Sequence, residues 1–316
     1  MRIVNLYRNI IQISGKCNMP NYRAQYNFPT SIDGDGAPTA LVLGSGTSTG
    51  VPVIHCGCPV CISENPFDHR LRTSVYLTCN GFGLLIDPSA DFRLQALRYR
   101  IPRVDAVIVS HAHADHVFGM DELRQYNRLQ EEATINIYAR DFTIAHLSQI
   151  FSYIVNFKPA KDSQMYRPQL SFCTLPPEPY TIGPFTVESV ILPHGPATST
   201  GLKITAEGKT FAIASDCNEL TPEALELFSN VDFLLLDGLR DRPHPSHLNI
   251  ESSVALMEKL QPKIGRFIHI GHDIPHAELE ARYPKNFGPA YDGMKVILGE
   301  AAPLPPSAAA LNYIKF

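Results

Sequence analysis

Residues 110–116 read Ser110-His111-Ala112-His113-Ala114-Asp115-His116, with four potential metal ligands between His111 and His116. They follow the apolar run Ala106-Val107-Ile108-Val109, whose length and composition suit a short buried strand. The ligands therefore sit on the loop leaving a strand's C-terminal end, where open α/β sheets place their sites. His111 and His113 alternate in an extended loop and can close on one cation. Asp115 and His116 point elsewhere and can serve a second. Imidazole with carboxylate suits zinc, manganese or iron. A two-metal site needs more ligands, and three residues past apolar strands supply them. His194 follows Val190-Ile191-Leu192-Pro193, Asp216 follows Phe211-Ala212-Ile213-Ala214-Ser215, and His272 follows Phe267-Ile268-His269-Ile270-Gly271. A carboxylate between two cations can bridge them, and Asp216 is the candidate. Each residue alone is an ordinary loop residue; their joint placement at strand ends carries the argument.

A second group is Cys56-Gly57-Cys58-Pro59-Val60-Cys61. Thiolates at this spacing can grip one zinc from a single loop, and a closed structural site needs a fourth ligand. His276, four residues past His272, is the expected fourth, with His55 the alternative. Seven cysteines is an odd number, and three of them crowd into this loop. That favours a metal clip in a reducing compartment over a disulfide framework. The loop from Gly44 to Gly50 superficially suggests a nucleotide fingerprint. It lacks the Lys-Ser/Thr of a P-loop and leads into no helical pattern. It reads as a tight turn that brings the chain to the Cys clip.

The elements that must position these residues are legible in outline. Strands are expected at 39–43, 74–77, 83–87, 104–110, 135–138, 185–192, 201–204, 210–215, 233–237 and 266–270. Helical patterns cover 91–98, 142–154, a stretch opened by Thr221-Pro222, and 250–260 behind the N-cap residue Asn249. Hairpins early and βα units later predict a mixed sheet covered by helices. Met120–Glu132 and Asn156–Gln169 read as specificity loops, with Arg124, Tyr126 and Arg128 either lining the pocket or facing solvent.

The 316 residues suit one large domain or two small ones. Residues 1–38 read as an N-terminal extension, either partly disordered or the product of a misread upstream start, with Met19 another possible start. Residues 39–300 read as the main ordered domain and 301–316 as a tail. A net charge of −4 and 18% charged residues speak against nucleic acid or an anionic membrane surface as partner. No run approaches the roughly 18 apolar residues of a membrane span. The first residues carry no secretory pattern, so a cytoplasmic protein is expected.

His111-x-His113-x-Asp115-His116, followed by His194, Asp216 and His272, resembles the complete hydrolytic ligand set of the metallo-β-lactamase superfamily over residues 39–300. The resemblance implies a four-layer αββα sandwich of the α+β type, with two divalent cations, Zn²⁺ or Mn²⁺, joined by a water or hydroxide at one edge. The redox branch typically has Glu where His113 stands, so a di-iron oxidoreductase is not expected. With Cys56, Cys58, Cys61 and Asp292-Gly293-Met294, the chain is similar to the PhnP group of cyclic-phosphate phosphodiesterases, and one structural Zn²⁺ is implied. The PqqB proteins have a similar Cys loop but depart from the full ligand set.

The same resemblance places His247, in His244-Pro245-Ser246-His247, near the scissile phosphate as a residue that is not a ligand; His244 has no such support. The implied reaction is hydrolysis of a small cyclic or nucleotide-like phosphodiester. The metal-bridging hydroxide attacks, His247 protonates the leaving group, and Asp115 both ligates and accepts a hydrogen bond from the attacking water. Thioester or lactone hydrolysis at the same centre and a non-catalytic PqqB-like binding role are the alternatives. A tRNA-end nuclease would carry a long flexible arm and a basic surface, and neither is visible. The expected partner is a small phosphorylated substrate, and dimerisation is common in the resembled group.

Overall fold

The computed structural model describes residues 36–155, 167–283, 286–304 and 306. The extension read over 1–38 lies outside them except for its last three residues, as does most of 156–169.

Strand β1 (Thr39–Gly44) is buried at every position. Ala40 and Val42 face one core, and Leu41 and Leu43 face another. A strand apolar on both sides must be covered on both sides. The same alternation recurs in β2 (Ser74–Cys79), β3 (Phe82–Ile86) and β4 (Ala106–Ile108). Two more strands, β5 (Ile135–Ala139) and β6 (Leu170–Thr174), complete the first half. The second half supplies β7 (Tyr180–Ile182), β8 (Phe185–His194), β9 (Ala197–Ala206), β10 (Lys209–Ala214), β11 (Phe233–Asp237), β12 (Ile264–Ile268), β13 (Phe287–Pro289) and β14 (Lys295–Ile297).

They form two seven-stranded sheets, ordered β14-β1-β2-β3-β4-β5-β6 and β13-β12-β11-β10-β9-β8-β7. Each sheet is antiparallel through its first hairpins and parallel from β3 to β6 or from β10 to β13. One core, with Val42, Ile86, Phe185, Phe211 and Leu235, lies between the sheets. The outer faces are covered by helices. The first carries α1 (Phe92–Tyr99), α2 (Ala114–Val117), α3 (Leu123–Leu129), α4 (Asp141–Ile150) and α5 (Ser152–Val155). The second carries α6 (Pro222–Leu227), α7 (Ile250–Leu260) and α8 (His276–Arg282). This is the αββα sandwich.

The cap signals act as read. Asn249 accepts from the Ser252 N–H at 2.9 Å, and Thr221 Oγ1 accepts from the Ala224 N–H at 3.3 Å with Pro222 at the first helical position. Three readings need correction. The helix expected over 142–154 ends at Ile150, and α5 follows after Phe151. Met120–Glu132 is not a loop, because Met120–Glu122 and α3 are helical. Tyr126 is buried and donates to the Ile101 carbonyl at 3.1 Å, so it belongs to the core.

The Gly44–Gly50 turn has a packing origin. A Cβ on Gly44 would lie 2.0 Å from the Arg72 carbonyl oxygen, so only glycine permits this backbone approach.

Candidate metal centre

The C-terminal ends of β4, β8, β10 and β12 point to one edge of the sandwich, and the ligand-type residues follow those ends. They gather in two groups: His111, His113 and His194, and Asp115, His116, Asp216 and His269. In the first, His111 Nε2 and His113 Nδ1 face each other at 2.9 Å. In the second, Asp115 Oδ2 lies 3.2 Å from His116 Nε2 and 3.5 Å from His269 Nε2. Asp216 belongs to both. Its Oδ2 is 3.2 Å from His116 Nε2, and its Oδ1 is 3.3 Å from His269 Nε2, 3.9 Å from His194 Nε2 and 4.0 Å from His111 Nε2.

Residues around the groups aim these nitrogens. His116 Nδ1–H donates to Asp87 Oδ2 at 2.8 Å, and His194 Nδ1–H donates to the Ser246 carbonyl at 2.8 Å. Each contact leaves Nε2 as the ring's lone-pair nitrogen, as metal-ligating histidines require. Asp87 also accepts from the Ser110 N–H and Ser110 Oγ at 2.7 Å, and Ser110 Oγ accepts from the His111 Nδ1–H at 3.0 Å. One carboxylate thus orients two histidines. Asp87 was not legible as a site residue: it directly follows β3 in sequence order, 24 positions before the first ligand. Asp87→Ala is expected to weaken cation affinity about 10–100-fold, measured by metal titration with the fold monitored by circular dichroism.

The donor set fits divalent cations. His116 Nε2 and Asp216 Oδ2 are buried polar atoms with no hydrogen-bond partner. Such orphans are costly, and a cation satisfies them together. Burial, followed by the charge on His116, pushes His111 well below the ordinary imidazole range; burial followed by His194 lowers His113. Both rings are then neutral at pH 7, the ligating form. Burial opposes ionisation of Asp216, but His269 and His116 outweigh it and hold the carboxyl well below its usual range.

The structure corrects the assignment of His272 to the two-metal centre. The strand expected to run to Ile270 stops pairing at Ile268, and His269 takes a left-handed φ of 61°. That turn sends His269 into the centre. Ile270 then pairs with Gly46, and His272 emerges on the far side. There His272 Nδ1 lies 3.5, 3.3 and 3.4 Å from the sulfurs of Cys56, Cys58 and Cys61. Zn–S of about 2.3 Å and Zn–N of about 2.0–2.1 Å at tetrahedral angles place sulfur and nitrogen about 3.5 Å apart, so the four atoms have the spacing of a closed zinc site. Burial works against the Cys58 thiolate, but the Cys61 amide and the His272, Cys56 and Cys61 side chains draw its pKa down to about 6.

His276 does not complete this site. It opens α8, buried, with Arg70 donating to its Nδ1 at 3.0 Å and Phe67 stacked on it at 5.1 Å. His55 is exposed on the loop and is not part of the Cys group.

His247 lies where a residue acting on substrate must be. Its ring centroid is 4.8 Å from that of His194 and 4.7 Å from that of His269, stacked on the latter. Its Nδ1–H donates to Asp237 Oδ2 at 2.6 Å, which leaves Nε2 free. Asp237 ends β11, is completely buried and is also held by the Cys217 N–H at 3.0 Å. This second orienting carboxylate was hidden in an apolar strand run. Burial, then the neighbouring charge of His269, lowers His247 to about 4. A His269 coordinated through Nε2 carries no charge, so the second cause vanishes once a cation is bound. His244 sits beside His247, its Nδ1 turned to Ser246.

A two-sheet sandwich with His and Asp converging at one edge defines a class of metal-dependent hydrolase folds. Residues 83–270 match the model of the beta-lactamase superfamily domain. A solved structure described as a new diphosphatase from the PhnP family is 36% identical, with a TM-score of 0.74 over 82% of this chain and 97% of that one. An octanoyltransferase of Porphyromonas gingivalis is 35% identical over 82% of this chain, and this chain spans only 51% of that protein. A coenzyme PQQ synthesis protein B of Methylobacterium nodulans is 28% identical over 63% of this chain and 72% of its own length. The chain belongs to the metallo-β-lactamase superfamily, whose fold implies divalent-metal binding, and within it to the PhnP-like group. No described helix is long and apolar enough to cross a membrane.

Proposed function

We propose that this chain is a phosphodiesterase that cleaves a small cyclic or nucleotide-like phosphodiester at a two-cation centre. His111, His113 and His194 would hold one Zn²⁺ or Mn²⁺, and Asp115, His116 and His269 the other, with Asp216 within reach of both groups. Cys56, Cys58, Cys61 and His272 would hold a separate Zn²⁺. The observation that carries this reading is the position of Asp216, with one oxygen facing His116 and the other shared among His269, His194 and His111. The likeness to a diphosphatase of the PhnP family supports phosphorus as the centre attacked.

Divalent cations bound here supply Lewis-acid polarisation of a phosphoryl oxygen and a water acidified toward neutral pH. Asp115 lies mostly buried beside His116 and His269, and its carboxylate accepts a hydrogen bond from the attacking water. His247 presents Nε2 to the leaving oxygen and transfers a proton there. Asp237 fixes the His247 tautomer through the 2.6 Å contact. The complete donor set supports catalysis over a binding role of the PqqB kind.

The test is hydrolysis of bis-p-nitrophenyl phosphate by protein loaded with Mn²⁺ or Zn²⁺, with Asp216→Ala as the blank. Metal-dependent nitrophenol release absent from the blank is expected. No release from a metal-replete protein overturns the proposal. His247→Ala should lower turnover about 10²–10⁴-fold on an alkyl-leaving-group diester with metal content unchanged. Undiminished turnover on that substrate would remove His247 from the reaction. Acyl ester or thioester hydrolysis is the second reading, favoured by the octanoyltransferase relative. Release from p-nitrophenyl octanoate but not from the diester would select it.

A further inference from the structure

A cleft of about 530 Å³ opens directly onto the His111 and His113 side of the centre. One wall is α4. Phe142, His146, Gln149 and Ile150 line the cleft, joined by the buried Thr143, while Leu147 of the same helix packs in the core. The spacing i, i+4, i+7, i+8 puts those four residues on one helical face. The opposite wall is the turn between β8 and β9, Pro196-Ala197-Thr198. No Lys, Arg, Asp or Glu is among the described residues lining it. His247 and His244 do not line it either.

Resting on the phosphodiesterase reading, we infer that this cleft receives the ester substituent that stays on phosphorus, and that it selects an uncharged group with an apolar face. Two observations decide this. The proton donor lies away from the cleft, so the leaving group departs elsewhere. A second phosphate or carboxylate in the cleft would meet no formal positive charge, whereas a ring would lie against Phe142, Ile150 and Pro196. Charged groups placed in such a lining lose hydration without compensation. The volume suits a ring system; ligand sites commonly combine apolar walls with a few polar groups, here Thr143, Thr198 and Gln149.

The experiment uses the full chain loaded with Mn²⁺ and three diesters that share p-nitrophenol as the leaving group. The retained substituents are methyl, phenyl and 4-carboxyphenyl. Wild type should show a kcat/KM for the phenyl diester about 10-fold or more above that for the methyl diester, with the carboxyphenyl diester well below phenyl. Ile150 is 42% exposed, so Ile150→Lys can fold normally. Relative to the methyl diester, this variant should lower the phenyl diester and raise the carboxyphenyl diester. Equal kcat/KM values across the three substrates, or an Ile150→Lys variant with the wild-type ranking, overturn the cleft assignment while the phosphodiesterase reading stands. Failure to hydrolyse any of the three overturns both.

Discussion

On the phosphodiesterase reading, His269→Ala is expected to lower phosphodiester turnover by at least about 10³-fold, because a catalytic cation supplies several kcal/mol of transition-state stabilisation and each 1.36 kcal/mol is tenfold in rate. The same variant loses active-site metal and keeps the zinc of the Cys loop. The reasoning is geometric. His269 Nε2 lies 3.3 Å from Asp216 Oδ1 and 3.5 Å from Asp115 Oδ2, and its ring is fully enclosed between His116 and His247. Removing it takes one donor from the group Asp115, His116, Asp216 and His269 and leaves two carboxylates facing each other with less opposing charge. Turnover and metal content per chain, read together, check this. A fully active His269→Ala enzyme with wild-type metal content would exclude His269 from the centre and, with it, the two-cation arrangement proposed here.

Much of this centre was legible because its ligands follow apolar strands. His111, His113, Asp115 and His116 follow β4, His194 closes β8, and Asp216 stands two residues past β10. Local pattern failed at His269. The run Phe267-Ile268-His269-Ile270 reads as continuous strand, and nothing in residue type marks the left-handed turn at His269. The pairing of Ile270 with Gly46, a partner more than two hundred positions away, ends the strand early. The same long-range contact decided which histidine joins the Cys loop. The orienting carboxylates were hidden for a related reason: Asp87 and Asp237 sit at the ends of apolar strands, 29 and 10 positions from the histidines they hold. Strand edges were also hard to read. β13 and β14 are three residues each, and β6 is mostly half-buried with polar residues, so neither length nor alternation separates them from loop. The helix at Leu123–Leu129 was concealed by polar composition, although Leu123 and Tyr126 at i, i+3 are its buried stripe.

His272→Ala and Cys58→Ser each lose one zinc per chain and lower the melting temperature, while the loaded centre at the sheet edge keeps its metals and its activity at moderate temperature. His276→Ala keeps the zinc. Loss of a ligand that binds only the folded chain costs about 4 kcal/mol at a free concentration 1,000 times Kd, which for a domain of this size corresponds to about 10 °C. The mechanical reason is the loop's attachment. Val51, Val60 and Cys61 form only a small apolar cluster of their own. Ile54 and Ile62 are 86% and 68% exposed, so burial contributes little to holding the loop. The zinc would tie this loop to the segment just past His269, joining the β1–β2 connection to the end of β12. Because His269 and His272 are three residues apart, a zinc held there would also brace the backbone that presents His269. A slow decline of activity in Cys58→Ser on warming, preceding loss of the whole fold, is therefore expected. Zinc loss in His276→Ala with retention in His272→Ala would reverse the assignment of the fourth ligand.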